Sequence, residues 1–544
     1  MEFSKEQQMT ILHKEGPALV LAGPGSGKTR VIIHRIACLL EDCPTARIIS
    51  LTFSRAAAHE MQQRFNFMLQ RKASNVQFST LHSLGYKIVQ KAYGQNSPQL
   101  LVAKQESLLK KIHEEINHKE ISRNEAETLV SAISRYKNNN ESHLAKDGFQ
   151  IKNFKTIYQS YETYKRANNL IDYDDMIFLA NHILSSNPTQ LNYWASLYDY
   201  IQVDEAQDLT TVQFNILYHL APHQNIFAVA DDDQNIYGFR GANLDCLLNF
   251  TEKNKNCVKF HLNNNYRSTP NIVDFSASLI ATNTHRFAKE PISMLENIGK
   301  IEILHSKDTY SQASFIADFI EKHTAVKNIG VLYRNNNSSL SIVAALISND
   351  FSFTLPHNFC PVKKYYVNRF WLEYIRIANR IKTPIKVWRK ITESNFKEKC
   401  IRSNNLFNAN TESIDISIDF MKTICSLARS HEEVKELTEK VFTAYSSGNH
   451  KGTKSQECEI FLTTIHSAKG LEYDTVFIID LNKDEFPGKS SISGILLEEE
   501  RRLFYVAVTR AKNNLFLMYP ENFATLSREE SIFIKESRAV MKGV

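Results

Sequence analysis

Paired cysteines are missing from this 544-residue chain: the 8 cysteines, Cys38, Cys43, Cys246, Cys257, Cys360, Cys400, Cys425 and Cys458, are scattered, with no C-x-x-C and no paired histidines nearby. Zinc and iron–sulfur centres need clustered thiolate or imidazole ligands, so neither organises this protein. The thiols read instead as the reduced, mostly structural cysteines of a cytoplasmic protein. No stretch approaches the ~20 apolar residues that cross a bilayer. The N-terminus MEFSKEQQMT is polar where a secretory signal is basic and then apolar, so neither membrane insertion nor secretion is expected. An excess of one charge is also lacking. A formal net charge of +6 excludes a histone-like polyelectrolyte but leaves room for a local basic groove against phosphates. No internal repeat or low-complexity tract is found.

What the chain does contain is length for several domains, with an ordinary 43% of hydrophobic residues to fill their cores. Its most informative run is PALVLAGPGSGKT, Pro17 to Thr29, an apolar strand that leads into GxxxxGKT and then into a helical pattern. Gly23, Gly25 and Gly27 let the backbone turn tightly enough to aim successive N–H groups at phosphate oxygens, and the following helix offers the positive end of its dipole. Ala22, Gly23, Pro24, Gly25, Ser26, Gly27, Lys28, Thr29 and Arg30 therefore form the candidate nucleotide cradle. Lys28 would reach the β- and γ-phosphates, and the Thr29 hydroxyl would ligate Mg²⁺. A bare helix N-terminus can carry the same letters; the strand before and the helix after favour the nucleotide site.

Apolar β-rich runs recur between helical patterns: LVLAG from Leu19, IISLTF from Ile48, YIQVDE from Tyr200 and NIFAVAD from Asn225. A second set follows with IEILH from Ile301, NIGVLYR from Asn328, IFLTTIH from Ile460, TVFIID from Thr475 and LFLMY from Leu515. Such alternation predicts two α/β cores with parallel sheets. Each is interrupted by helix-and-loop sequence, which predicts a mainly helical inserted subdomain. The expected boundaries are 1–83 and 193–268 for the first core, 84–192 for its insertion, 269–356 and 457–544 for the second core, and 357–456 for a shortened second insertion.

The second chemical signal is IQVDEAQD at Ile201 to Asp208, a buried strand ending in adjacent carboxylates. Strand ends of open α/β sheets face the ligand crevice. Asp204 would then hold Mg²⁺, and Glu205 would polarise the water that attacks the γ-phosphate. An acidic strand terminus alone is often merely solvated; its pairing with GKT in one sheet favours catalysis.

Downstream come AVADDDQNIYGFRGA from Ala228, NNNYRSTPNIV from Asn263, TTIHSAKGLEYDTVFIID from Thr463 and LEEERRLFYVAVTRA from Leu497, with FSRAAAHEM from Phe53 and STLHSLGYKIV from Ser79 upstream. In this order and spacing the segments resemble the motifs of superfamily 1 helicases of the UvrD/Rep group, over nearly the whole chain. The resemblance implies two RecA-like cores and an ATP-dependent DNA helicase that moves 3′ to 5′ on single strands. It implies ATP and Mg²⁺ as cofactors, and single-stranded DNA and its junctions with duplex as partners. A separate nuclease or repair protein is a further expected partner.

By the same resemblance Gln7 reads the adenine edge and Tyr266 stacks on the base. Arg267 and Arg510 point at the γ-phosphate, Gln234 senses that phosphate between the cores, and Glu472 lies near the ribose. Forked guanidinium groups neutralise developing charge only when the cores close, which makes hydrolysis conditional on geometry. Phe53, Tyr237 and Phe239 match positions that stack bases, and Thr52, Thr80, His82, Arg240, Arg334, Asn335 and His466 match positions along the strand's path. Taken alone, each aromatic would be read as core packing. Arg501 and Arg502 read as structural ion pairs with Glu498 to Glu500.

Departures from the family pattern are also present. The stretch 357–456 is short and lacks a GIG-like turn for gripping duplex. The sequence after Arg510 leaves only a brief connection where relatives insert a strand-splitting hairpin, with Phe523 as the candidate for a reduced wedge. Ala230 and Ala507 replace Gly, and Phe239 replaces Trp. The end of the chain soon after the last motif leaves no room for a fused nuclease.

Overall fold

Two parallel sheets, each built from continuous apolar runs, organise a computed structural model that describes residues 2–69, 73–101, 105–121, 123–139, 151–221, 223–323, 325–355, 360–362, 364–393, 411–454, 457–489, 491, 493–524 and 526–543. The chain divides into a unit of residues 1–266 with 286–291 and a unit of residues 267–285 with 292–544. The passage out of the first unit thus falls between Tyr266 and Arg267, and a short segment, Arg286–Pro291, returns to it.

In the first unit six strands run in the order Val76–Thr80, Ile48–Thr52, Tyr200–Val203, Ile226–Ala230, Ala18–Ala22 and Val258–Leu262, every pairing parallel. Ala18–Ala22, Ile48–Thr52 and Ile226–Ala230 are buried along their whole length. Burial on both faces explains why they read as unbroken apolar runs rather than as alternating ones. One face packs Val31, Ile32, Ile36 and Phe65 against the sheet, and the other packs Leu84, Ile88, Ala180 and Leu217.

The helices Leu81–Tyr93 and Tyr173–Ser186 belong to that second layer, although they fall almost wholly within 84–192. A separate small core, centred on Leu109, Ile112, Leu129, Ile133, Ile157 and Tyr161, belongs to the three helices between them, Gln105–Asn117, Arg123–Asn139 and Phe154–Ala167. The independently packed part of the insertion is therefore narrower than 84–192.

The second unit holds an eight-stranded sheet in the order Lys300–Asp308, Ala511–Phe523, Tyr473–Ile478, Asn328–Tyr333, Glu459–Thr464, Phe353–Thr354 and Asn449–His450, with Leu526–Ser527 folded back on Ala511–Phe523. The five long strands pair in parallel, and the two short edge pairings, Phe353–Thr354 with Asn449–His450 and Asn522–Phe523 with Leu526–Ser527, are antiparallel. Its insertion contributes the helices Lys364–Ala378, Pro384–Glu393, Thr411–Leu427 and His431–Ser447 among the described residues. Unlike the first insertion it shows no core of its own among the described residues: Phe370, Trp388, Met421, Ile424 and Val441 join the same apolar cluster as Ile329 and Val331 of the sheet. The helix Ser339–Ser348, buried at Ser339 to Ile347, makes that continuity, because a helix apolar on every side must be covered on every side.

Candidate nucleotide and nucleic-acid sites

The phosphate loop leaves the end of the strand Ala18–Ala22 and closes onto the helix Lys28–Asp42. Gly25 and Gly27 adopt φ of +70° and +82°, a region that side chains rarely enter, and a Cβ on Gly23 would meet nothing within 4 Å. The loop is tied from inside and outside. Ser26 Oγ donates to the Gly23 carbonyl at 2.7 Å, Asn265 Nδ2 to the Pro24 carbonyl at 2.9 Å, and the Tyr266 N–H to the Gly25 carbonyl at 2.9 Å. The Tyr266 backbone is thereby held beside the loop. Arg30, one turn into the helix, lays its guanidinium 4.1 Å from the centre of the Phe3 ring.

Gln7 is buried at 2% exposure, and its amide is engaged at both ends: Oε1 accepts from the Ser4 N–H at 3.1 Å in a capping box, and Nε2 donates to the Ser26 carbonyl at 2.9 Å. A Cβ on Gly27 would come within 3.0 Å of that Nε2. Gln7 therefore clasps the loop in this structure.

Across from the loop, two strand positions away in the sheet, Tyr200–Val203 ends in Asp204 and Glu205. Glu205 sits in the left-handed region at φ +56°, which costs free energy for a residue with a Cβ and turns its carboxylate toward the loop. Its Oε1 lies 3.6 Å from Lys28 Nζ. Glu205 Oε2 accepts from Gln207 Nε2, and Gln207 Oε1 in turn accepts the N–H of Asp231 at 3.0 Å. The oxygens of Thr29 and Asp204 are hard donors of the kind Mg²⁺ takes, and the open Gly23 turn leaves room for phosphates, so the donor set fits that cation. Gln234 is buried, with Nε2 donating to Asp231 Oδ2 at 2.6 Å.

Behind this group lies a buried triple aspartate. Lys289 Nζ is 2.5 Å from Asp231, 2.7 Å from Asp232 and 2.7 Å from Asp233, and Arg286 forks onto Asp233 with two bonds of 2.8 Å. Burial pushes Asp232 above the usual carboxylate range, whereas for Asp233 the two cations outweigh burial and hold it below.

A groove of about 910 Å³ in the same unit gathers Phe53, Thr80, His82, Tyr237, Phe239 and Arg240. Phe53 stacks on Tyr237, and the Arg240 guanidinium lies 5.4 Å and 5.5 Å from the Tyr237 and Phe239 ring centres. Burial, reinforced by Arg240, pulls His82 down to about 4, so at neutral pH it is an uncharged hydrogen-bonding group. Thr80 is turned to helix capping, accepting the Ser83 N–H at 3.1 Å, and Thr52 is buried with its hydroxyl on the Ser54 carbonyl at 3.0 Å. Tyr86 and Lys87, which stand in the run STLHSLGYKIV, also line the groove, as does Tyr173, which no motif frames. Gln207 stands in the run IQVDEAQD, two residues after Glu205, and that adjacency is the signal in the sequence that points to it.

In the second unit Arg267 Nε donates to Glu472 Oε2 at 2.7 Å, and Lys512 Nζ reaches the other Glu472 oxygen at 2.8 Å. Together they outweigh burial and hold Glu472 below the usual carboxylate range. Arg510, 1% exposed, is fixed by the carbonyls of Val506 at 3.0 Å and Leu471 at 3.1 Å. Arg334 forks onto Glu500, nearest bond 2.8 Å, and Asn335 donates to Glu485 at 2.6 Å. His466 lies in the turn after Glu459–Thr464.

Two readings change. Arg501 pairs with Glu536 at 2.6 Å and with Asn283 rather than with Glu498 to Glu500, because the helix turns it toward the C-terminal helix; Arg502 does reach Glu498, at 3.5 Å, and donates to the His285 carbonyl. Phe523 is no bare tip: it packs against the core with the Arg528 guanidinium 4.0 Å from its ring centre.

A phosphate loop facing an acidic strand end in a parallel sheet, beside an aromatic and basic groove, defines a nucleotide-dependent nucleic-acid enzyme. A model of the UvrD/REP helicase N-terminal domain matches residues 3–255, and one of the UvrD-like helicase C-terminal domain matches residues 260–371 and 362–522. The chain belongs to the UvrD/Rep helicase family. Among similar proteins, the ATP-dependent DNA helicase PcrA of Leuconostoc citreum is 28% identical over 94% of this chain and 81% of the relative. A probable DNA helicase II homolog of Mycoplasma capricolum is 29% identical over 95% and 84%, and the ATP-dependent DNA helicase Rep of Buchnera aphidicola is 28% identical over 95% of each chain.

Proposed function

We propose that this protein is an ATP-dependent DNA helicase that hydrolyses ATP to move 3′ to 5′ along single-stranded DNA and to separate duplex. The observation that carries the reading is the approach of Glu205 to Lys28, 3.6 Å, at the mouth of a loop whose glycines leave the phosphate path open. The loop amides and Lys28 bind the phosphates, Glu205 orients and polarises the attacking water, and Gln234 responds to the γ-phosphate. Mg²⁺, held by Thr29 and Asp204, would neutralise charge on the phosphate oxygens. Arg267 and Arg510 supply the guanidinium groups that stabilise charge developing on the γ-phosphate. The stacked rings of the groove take bases of any sequence, since every base has a π-face. Cycles of ATP binding and release then move bases from one ring to the next.

Oligonucleotide-stimulated ATPase activity together with strand displacement on a tailed duplex tests the reading, with Lys28→Ala as the variant expected to abolish both. A protein that splits ATP no faster with oligonucleotide overturns it. The covered Phe523 favours a second reading, a translocase that strips proteins from single strands or feeds a separate nuclease. Displacement of streptavidin from biotinylated oligonucleotide without unwinding supports that reading, and unwinding by the protein alone removes it.

A further inference from the structure

The buried triple aspartate has no part in the mechanism above, yet it touches Gln234, which does, and reaches Glu205 through Gln207. Its position for a cation is filled by the Lys289 ammonium, within 2.7 Å of all three carboxylates. Lys289 and Arg286 come from Arg286–Pro291, the six-residue return of the chain into the first unit, which also fixes Asp232 through the Phe287 N–H at 2.8 Å. Of the three aspartates only Asp231 points both ways. One carboxylate oxygen takes Lys289, the other takes Gln234 Nε2 at 2.6 Å, and its backbone N–H holds Gln207, whose other end holds Glu205.

We propose that Asp231, clamped by Lys289, is a positioning residue that sets the Gln234 amide and, through Gln207, the Glu205 carboxylate. The proposal rests on the ATPase reading above. A buried amide whose N–H₂ is bonded to a carboxylate is oriented by it, and a glutamine that bonds a carboxylate and a backbone N–H at once transmits the position of one to the other. The segment that carries Lys289 thereby sets the geometry at the γ-phosphate without touching nucleotide.

The two neighbouring aspartates make the test. Asp231→Asn and Asp232→Asn each remove one negative charge from a cluster in which three carboxylates face two named cations, so neither strands a buried charge. In Asp231→Asn the remaining oxygen stays on the Lys289 ammonium and the new N–H₂ faces Gln234 Nε2, donor against donor, so the Gln234 amide loses that acceptor. Steady-state hydrolysis with oligo-dT is expected to show kcat about tenfold lower for Asp231→Asn with KM for ATP within about twofold, and kcat within about twofold of wild type for Asp232→Asn. The double variant Asp231→Asn/Gln234→Ala is expected to lose no more than Gln234→Ala alone, because both changes act through one amide. Lys289→Arg should retain kcat that Lys289→Met loses. Equal kcat in the two asparagine variants, or additive losses in the double variant, overturns the relay. Wild-type protein without oligonucleotide-stimulated hydrolysis removes instead the ATPase reading, and the relay with it.

Discussion

The ring of Phe53 lies nearly flat on that of Tyr237, centroids 4.8 Å apart and planes 12° apart. Phe53 is 41% exposed, so the pair offers a flat apolar face to solvent at the mouth of a groove that also holds Phe239 and Arg240. A preformed platform of this kind stacks bases without reading their identity, at about 1–3 kcal/mol per base. Phe53→Ala should therefore weaken binding of a fluorescein-labelled oligo-dT, read by anisotropy, by roughly 5- to 150-fold, with ATP affinity unchanged. Phe239→Ala should keep basal hydrolysis but lose much of its stimulation by single strands. Loss of both properties together in the Phe239 variant would refute the division of labour between groove and phosphate loop.

His82 gives the groove a pH signature. Its pKa is about 4 in the folded protein, lowered by burial and then by Arg240, against an ordinary value of 6.5. Between those values the unfolded chain holds a proton that the folded chain refuses, so this group makes stability rise with pH through the window and leaves it flat above about 6.5. Its contribution to acid destabilisation is at most about 3 kcal/mol, reached below pH 4. His82→Asn should flatten the slope of urea-unfolding free energy between pH 4.5 and 6.5 relative to wild type. An unchanged slope would show that other histidines carry it.

The phosphate loop, the acidic strand end and the alternation of strands and helices were legible because each is local: a loop needs its glycines in a row, and a buried strand needs consecutive apolar residues. The side-chain partners were not legible. Nothing in DDDQ announces that Lys289, more than 50 residues on, will sit among the three carboxylates, since a return of six residues leaves no periodicity to detect. The extent of the insertions was hidden for a similar reason. Leu81–Tyr93 and Tyr173–Ser186 have the same amphipathic pattern as the helices between them, and only the packed structure shows which face meets the sheet.

A second buried ionic group holds the first insertion. Lys137 and Lys165 each lie within 3.1 Å of Glu162, Asp172 and Asp175, and Asp172 also caps the helix Tyr173–Ser186. The carboxylates outweigh burial and hold Lys137 above its ordinary range. Breaking such a group from one side leaves uncompensated buried charge, at a cost of about 3–5 kcal/mol. Lys165→Met should raise hydrogen exchange in Phe154–Ala167 and in the first turns of Tyr173–Ser186, while amides of the strand Ile226–Ala230 stay protected. Exchange unchanged in the helices would mean that the small apolar core alone suffices.

Arg267, the proposed partner of the γ-phosphate, is bonded through Nε to Glu472 at 2.7 Å. Glu472 is shared with Lys512, so its carboxylate is doubly stabilised and the guanidinium gives up an ion pair whenever it turns to nucleotide. Replacing the carboxylate by an amide of the same shape keeps a neutral hydrogen bond and removes the ionic competition. Glu472→Gln is accordingly expected to raise ATP hydrolysis measured without oligonucleotide by severalfold and to shrink the stimulation that oligonucleotide adds. The two roles assigned to this residue give opposite results. If its main part is to hold the ribose, the same substitution raises KM for ATP and lowers the basal rate, and the ion pair is then no brake on hydrolysis.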